Sequence, residues 1–110
     1  MRKRLTLIAA ITLLGMILVP SASYGQGGGK QVFVASKCTM CHTVKSMGIQ
    51  TTGHMSKPFD LSRVGASHNA AWFKPYLLKQ TALNGKQHIK KFTGAAAQLN
   101  QLANWLSTLR

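Results

Sequence analysis

The sequence holds no glutamate and a single aspartate, Asp60, against 14 lysines and arginines. One carboxylate leaves few acid–base groups for enzymatic chemistry, although the four histidines could serve. Cysteine is nearly absent too: Cys38 and Cys41 are the only two, so a disulfide-stapled framework is excluded. No apolar run reaches the roughly 20 residues that a membrane span needs. No stretch alternates apolar and polar residues long enough to read as a half-buried strand, and no internal repeat is visible. Methionine stops at Met55, and the second half of the chain has none.

What is present begins with an address. Met1-Arg2-Lys3-Arg4 is basic, Leu5 to Val19 is uncharged, and Pro20 to Gly25 is mostly small. Together these read as a secretory signal peptide over residues 1–25, with cleavage after Ser23 or Gly25. The rival reading, a retained anchor, suffers from the shortness of the apolar run. No cysteine stands at the exit to carry a lipid. The expected product is periplasmic or otherwise extracytoplasmic, without a membrane span in its mature form. The remaining domain, 26–110, has roughly 85 residues, a size at which a chain rarely buries enough apolar surface unaided. A disulfide, metal or bulky cofactor usually completes such a core. Only three of the basic residues lie in the leader, so the domain keeps a charge of roughly +10. Export argues against nucleic acid as the partner, and the positive field favours acidic protein surfaces. A generally basic, soluble surface is the plainer reading of the same charge.

The pattern along the domain is helical. Gly25 to Gly29 reads as a flexible lead. A short helix is expected over Lys30–Lys37, with Val32 and Phe33 available to pack. Thr43 to Lys57 reads as loop, and Pro58 to Gly65 as a turn region. Ser67 or Asn69 is placed to cap a helix over about 70–79 that carries Trp72, Phe73, Tyr76 and Leu77 on one face, with Pro75 as a complication. Thr81 to Thr93 reads as loop, broken by Asn84-Gly85. The clearest element follows Gly94, a helix over about 95–109 in which Leu99, Leu102, Leu106 and Leu109 recur at three- and four-residue steps beside Ala103 and Trp105.

Cys38-Thr39-Met40-Cys41-His42 is C-x-x-C-H, the attachment pattern of c-type haem. Two thiols at this spacing reach two vinyl groups of one porphyrin, and the histidine that follows is placed under the ring to ligate iron. Three other readings compete. A disulfide across so small a loop would constrain the unfolded chain little. A thioredoxin-type dithiol wants a βαβ pattern, which is missing. Zinc held by Cys38, Cys41 and His54 lacks a fourth ligand at the usual spacing, since His68 lies too far along. Haem is the reading the motif supports best.

With that motif in place the chain resembles class I (mitochondrial-type) cytochromes c of the small bacterial monohaem branch. Val32-Phe33 is similar to the family's aromatic-bearing first helix. Pro58 to Gly65 resembles its proline-containing proximal stretch, Asn69 to Phe73 its middle helix, and Leu99 to Leu109 its last helix. The resemblance implies an all-α fold whose first and last helices cross, with Phe33 and Trp105 at the contact, wrapped around one covalent haem on Cys38 and Cys41. It implies His42 as one axial ligand. The family usually takes the second from a methionine shortly before the last helix, where this chain has Lys86 to Phe92. His88 stands in the matching place, which points to a bis-histidine iron. Met55 is the next candidate, followed by His68 and Met47; Met40 is poorly placed, and an open site is the remaining alternative. A second imidazole donates more strongly than a thioether and favours ferric iron, so the expected potential is low. The His42 ring is expected to donate its outer N–H to a backbone carbonyl near Pro58.

The function these readings imply is single-electron carriage rather than enzymatic turnover, by transient docking with acidic redox partners. The alternatives are an open-site haem enzyme or gas sensor, and an electron-entry subunit of a larger complex in which Trp72, Phe73 and Tyr76 face a partner.

Overall fold

The computed structural model describes residues 26–110; the expected signal segment, residues 1–25, lies outside the described residues. Four helices carry the fold: α1 (Gln26–Ala35), α2 (Val64–Ser67), α3 (Ala70–Leu77) and α4 (Ala96–Ser107). The first and last pack together, as the resemblance implied, and Phe33 meets Trp105 with ring centroids 5.2 Å apart and planes tilted by 51°. Phe33, Leu102, Ala103, Trp105 and Leu106 are almost fully buried, and Val44, Phe73, Phe92 and Leu109 extend the same core.

The last helix forms for the reason its spacing suggested. Its N-cap, Ala95, has no side-chain acceptor, a loss worth about 1 kcal/mol. Each buried leucine returns roughly 2 kcal/mol, so the stripe of Leu99, Leu102 and Leu106 outweighs the missing cap. Gln98 offsets part of the loss, its side-chain oxygen accepting from the Ala95 N–H at 3.1 Å.

The first helix corrects an expectation. Gln26 to Gly29 is helical rather than a flexible lead, and α1 ends at Ala35 instead of Lys37. The reason is tertiary. A methyl group on Gly29 would stand 2.1 Å from Trp105 Cβ and 2.5 Å from the Gln101 carbonyl oxygen. Only glycine lets the two backbones approach so closely, and that packing overrides glycine's weak helix propensity. Lys37, in the left-handed region at φ 59°, breaks the helix just before the motif.

The middle helix starts as expected at an Asn69 cap, whose side chain accepts from the Trp72 N–H at 2.9 Å. It stops at Leu77, two residues short of the expected Lys79. Pro75 lacks the N–H that would bond back to Ala71, and Lys79 turns left-handed at φ 58°. Ser67, the other expected cap, instead ends the short α2 within the 58–65 turn region and its continuation.

Two small ladders replace what the sequence showed as loop. Strand β1 (His42–Thr43) pairs in parallel with β2 (Phe59–Asp60), His42 opposite Phe59 and Thr43 opposite Asp60. The Phe59 N–H donates to the Cys41 carbonyl at 3.1 Å and the Leu61 N–H to the Thr43 carbonyl at 2.8 Å. Strand β3 (Ala82–Leu83) pairs antiparallel with β4 (Lys86–Gln87) across Asn84-Gly85, both with positive φ, the geometry of a two-residue type I′ hairpin turn. Strands of two residues show no alternation, which is why periodicity missed them.

Candidate functional site

Lys37 ends α1 and the chain tightens into a 3-10 turn over Cys38–Met40. That turn presents both thiols within one short segment, Cys38 half-buried and Cys41 exposed. Burial pushes the Cys38 thiol above its ordinary pKa, and the nearby Lys90 cation offsets part of that rise. The turn is fastened from below. Thr52 N–H and Thr51 Oγ1 both donate to the Thr39 carbonyl at 2.8 Å, and Thr39 Oγ1 meets Thr52 Oγ1 at 3.0 Å.

His42 then enters β1. Its Nδ1 lies 3.2 Å from the carbonyl oxygen of Phe59, the residue after Pro58 and its partner across the ladder. The expected carbonyl partner is therefore in the expected stretch. Burial holds the His42 pKa below the ordinary imidazole range, partly opposed by that hydrogen bond. That shift favours the neutral ring, the form that ligates a metal.

His88 comes from the other end of the chain, just past the β3–β4 hairpin, and its ring stands opposite His42. The two ring centroids are 6.2 Å apart and the planes differ by only 10°. His88 Nδ1 meets the Lys90 carbonyl at 2.5 Å. A carbonyl oxygen only accepts, so in both histidines Nδ1 is the donor, and Nε2 is the ring nitrogen left outside that bond. An imidazole nitrogen about 2 Å from a metal, with the ring centre roughly 1 Å further on, puts two opposed rings about 6 Å apart. The observed gap therefore fits a single metal-centred group held from both sides. Tyr76 packs edge-on to His88 with centroids 5.4 Å apart. A cleft of about 390 Å³ adjoins His88, lined also by Cys38, Leu77, Lys90, Phe92 and Leu102.

A family comparison bears on this arrangement: the cytochrome c family model matches residues 28–110. The chain belongs to the cytochrome c family. Curated proteins and solved structures give no match. As a cytochrome c domain the chain binds haem c covalently, and a domain of this size takes one. The family's work is haem-based electron transfer with redox partner proteins. The residues around the His42–His88 gap fit that group in chemistry as well as spacing: two thiols, two opposed imidazoles, and Leu77, Phe92 and Leu102 in the adjoining cleft.

The other residues weighed for a second axial position are Met40, Met47, Met55 and His68. Met47 and Met55 are exposed, at 43% and 40%. His68 is stacked on Trp72 with centroids 3.6 Å apart, and Trp72 on Tyr76 at 4.6 Å. Sequence reasoning missed the side chains behind the imidazoles. Lys90 was legible only as charge, yet its ammonium donates to the Ser36 carbonyl at 2.9 Å. Tyr76, expected with Trp72 and Phe73 on one helix face, packs edge-on to His88. Among the described residues no helix is long and apolar enough to cross a membrane.

Proposed function

We propose that this cytochrome is an exported single-electron carrier of the class I, small bacterial type. In this reading Cys38 and Cys41 tether the haem by thioethers, and His42 and His88 take the two axial positions. The observation that carries it is the opposed ring pair, 6.2 Å and 10° apart, with both Nδ1 atoms spent on carbonyls and both Nε2 atoms free. When bound, the haem supplies an iron that alternates between ferric and ferrous. The chain's part is to fill both axial positions, so that little rearranges when an electron arrives. Two imidazoles favour the ferric state, which makes the potential low for a cytochrome c. The basic leader followed by an apolar run supports export. The excess of lysine and arginine over one aspartate supports acidic redox partners.

The test is optical and magnetic spectroscopy of the purified holoprotein beside His88→Met. Low-spin bis-imidazole features in the wild type are expected, with the near-infrared sulfur-to-iron band and a raised potential in the variant. That sulfur band in the wild type would overturn His88 and turn attention to Met55 or Met47. High-spin wild-type iron would mean an open site, and an enzyme or sensor in place of a carrier.

A further inference from the structure

The protein's single side-chain carboxylate sits beside the proximal ladder. Four donors converge on Asp60 Oδ1. Ser62 Oγ donates at 2.7 Å and the Lys45 N–H at 3.0 Å, with the Thr43 hydroxyl and the Ser62 N–H longer, each at 3.3 Å. Thr43 follows His42 directly and is itself 5% exposed. Lys45 opens the next turn, and Ser62 begins the passage from β2 to α2. One oxygen therefore ties the stretch that follows His42 to the stretch that follows Phe59. A two-residue ladder has few hydrogen bonds of its own to keep its register. The register matters because a slip would carry the Phe59 carbonyl away from His42 Nδ1. Ser62 Oγ also accepts from the Ser46 N–H at 2.9 Å, which extends the same network one residue further.

We propose that Asp60 is a positioning residue for the proximal imidazole: by clamping β1 to β2 it holds the Phe59 carbonyl on His42 Nδ1, and so sets how strongly His42 donates to iron. The inference rests on His42 being an axial ligand. A carbonyl drawing on the Nδ1 proton makes the ring a better donor, which stabilises ferric iron and lowers the potential. Loosening the clamp weakens that bond and raises the potential. The carboxylate's own negative charge acts in the same direction at longer range, and the choice of variants separates the two.

The experiment compares wild-type holoprotein with Asp60→Ala and Asp60→Asn. Proton NMR of the ferrous form follows exchange of the His42 Nδ1 proton with water, and redox titration gives the potential. In Asp60→Ala the exchange is expected to quicken about tenfold and the potential to rise. Asp60→Asn keeps an acceptor oxygen for Lys45 and Ser62 but loses the charge. Its exchange is expected to stay within about threefold of wild type, with a smaller rise in potential. Two results would overturn the proposal. One is Asp60→Ala with unchanged exchange and potential but a lowered unfolding midpoint, a purely structural role. The other is an equal rise in potential in both variants with His42 exchange unmoved, a through-space charge alone. Should Asp60→Ala not yield folded holoprotein, Thr43→Val removes one bond of the set; about threefold faster exchange supports the clamp, and none overturns it. Failure of the underlying ligand assignment shows separately, as low-spin spectra that survive His42→Ala.

Discussion

Around His42 the chain is tied on every side, whereas around His88 it is tied at a few points. The His42 imidazole sits in a ladder, just after the fastened Cys38–Met40 turn, with Asp60 gripping the next residues. The His88 imidazole sits in an exposed segment between a two-residue hairpin turn and the last helix. It is held by its own bond to Lys90, by Lys90 reaching Ser36, by Gln87 Nε2 donating to the Lys79 carbonyl and Lys79 Nζ to the Ile89 carbonyl, and by the Phe92 N–H donating to the Leu77 carbonyl at 2.8 Å. Its neighbour Ile89 is 92% exposed. On this contrast His42 is the more firmly positioned of the two rings.

The largest effect should come from deleting each imidazole. His42→Ala is expected to lower recovery of haem-loaded low-spin protein severely. His88→Ala should retain the covalent haem but turn high-spin and bind carbon monoxide on reduction. Haem content and carbon monoxide binding measure both, and the reverse ranking breaks the comparison. Next comes the support the two sides share. Gly29→Leu forces a side chain against Trp105 and should cost about 3 kcal/mol. The loss should show in denaturant titration as one transition, with haem absorbance and helix content falling together; separate transitions would mean that the two sides fold independently.

Smaller effects probe each side alone. Hydrogen bonds, first that from the Lys45 N–H and then that from the Ser62 hydroxyl, hold the Asp60 carboxyl below the usual carboxylate range. A carboxyl lowered on folding adds stability above its unfolded pKa and loses it as pH falls through its folded one. Acid titration of stability should therefore weaken the wild type below about pH 4, and Asp60→Asn should flatten that part of the curve. On the distal side Lys90→Met should cost about 0.5–1 kcal/mol, the scale of one exposed hydrogen bond. It should also quicken carbon monoxide entry to the ferrous form in a stopped-flow trace. No change in entry rate would mean that Lys90 decorates the loop without holding it.

The core was legible because its signals are long. Leu99, Leu102 and Leu106 repeat over a whole helix, and Phe33 and Trp105 are large enough to anchor a contact. The motif was legible because its chemistry fixes its spacing. What stayed hidden was short or relational. The Gly27 to Gly29 run read as a lead because glycine's helix propensity is poor, and only the partner across the gap, Trp105, explains it. Asn84-Gly85 is a recognised hairpin pair, yet its flanks, Ala82-Leu83 and Lys86-Gln87, offered no alternation to confirm it. Asp60 was noted as the sole acid, but its four donors come from residues scattered over 43–62, which no local pattern reveals.

The packing of α1 on α4 also carries a schedule. It is a contact between the first and last helices of the domain, so closing it requires nearly the whole chain. Phe33 has no Trp105 to meet until the last helix has been made, because a chain emerges from its amino end. Cys38 and Cys41 follow directly on that unanchored helix. They are among the first of the described residues to be synthesised and stand next to one of the last contacts to form, so both thiols are made well before the packing of α1 on α4 can close.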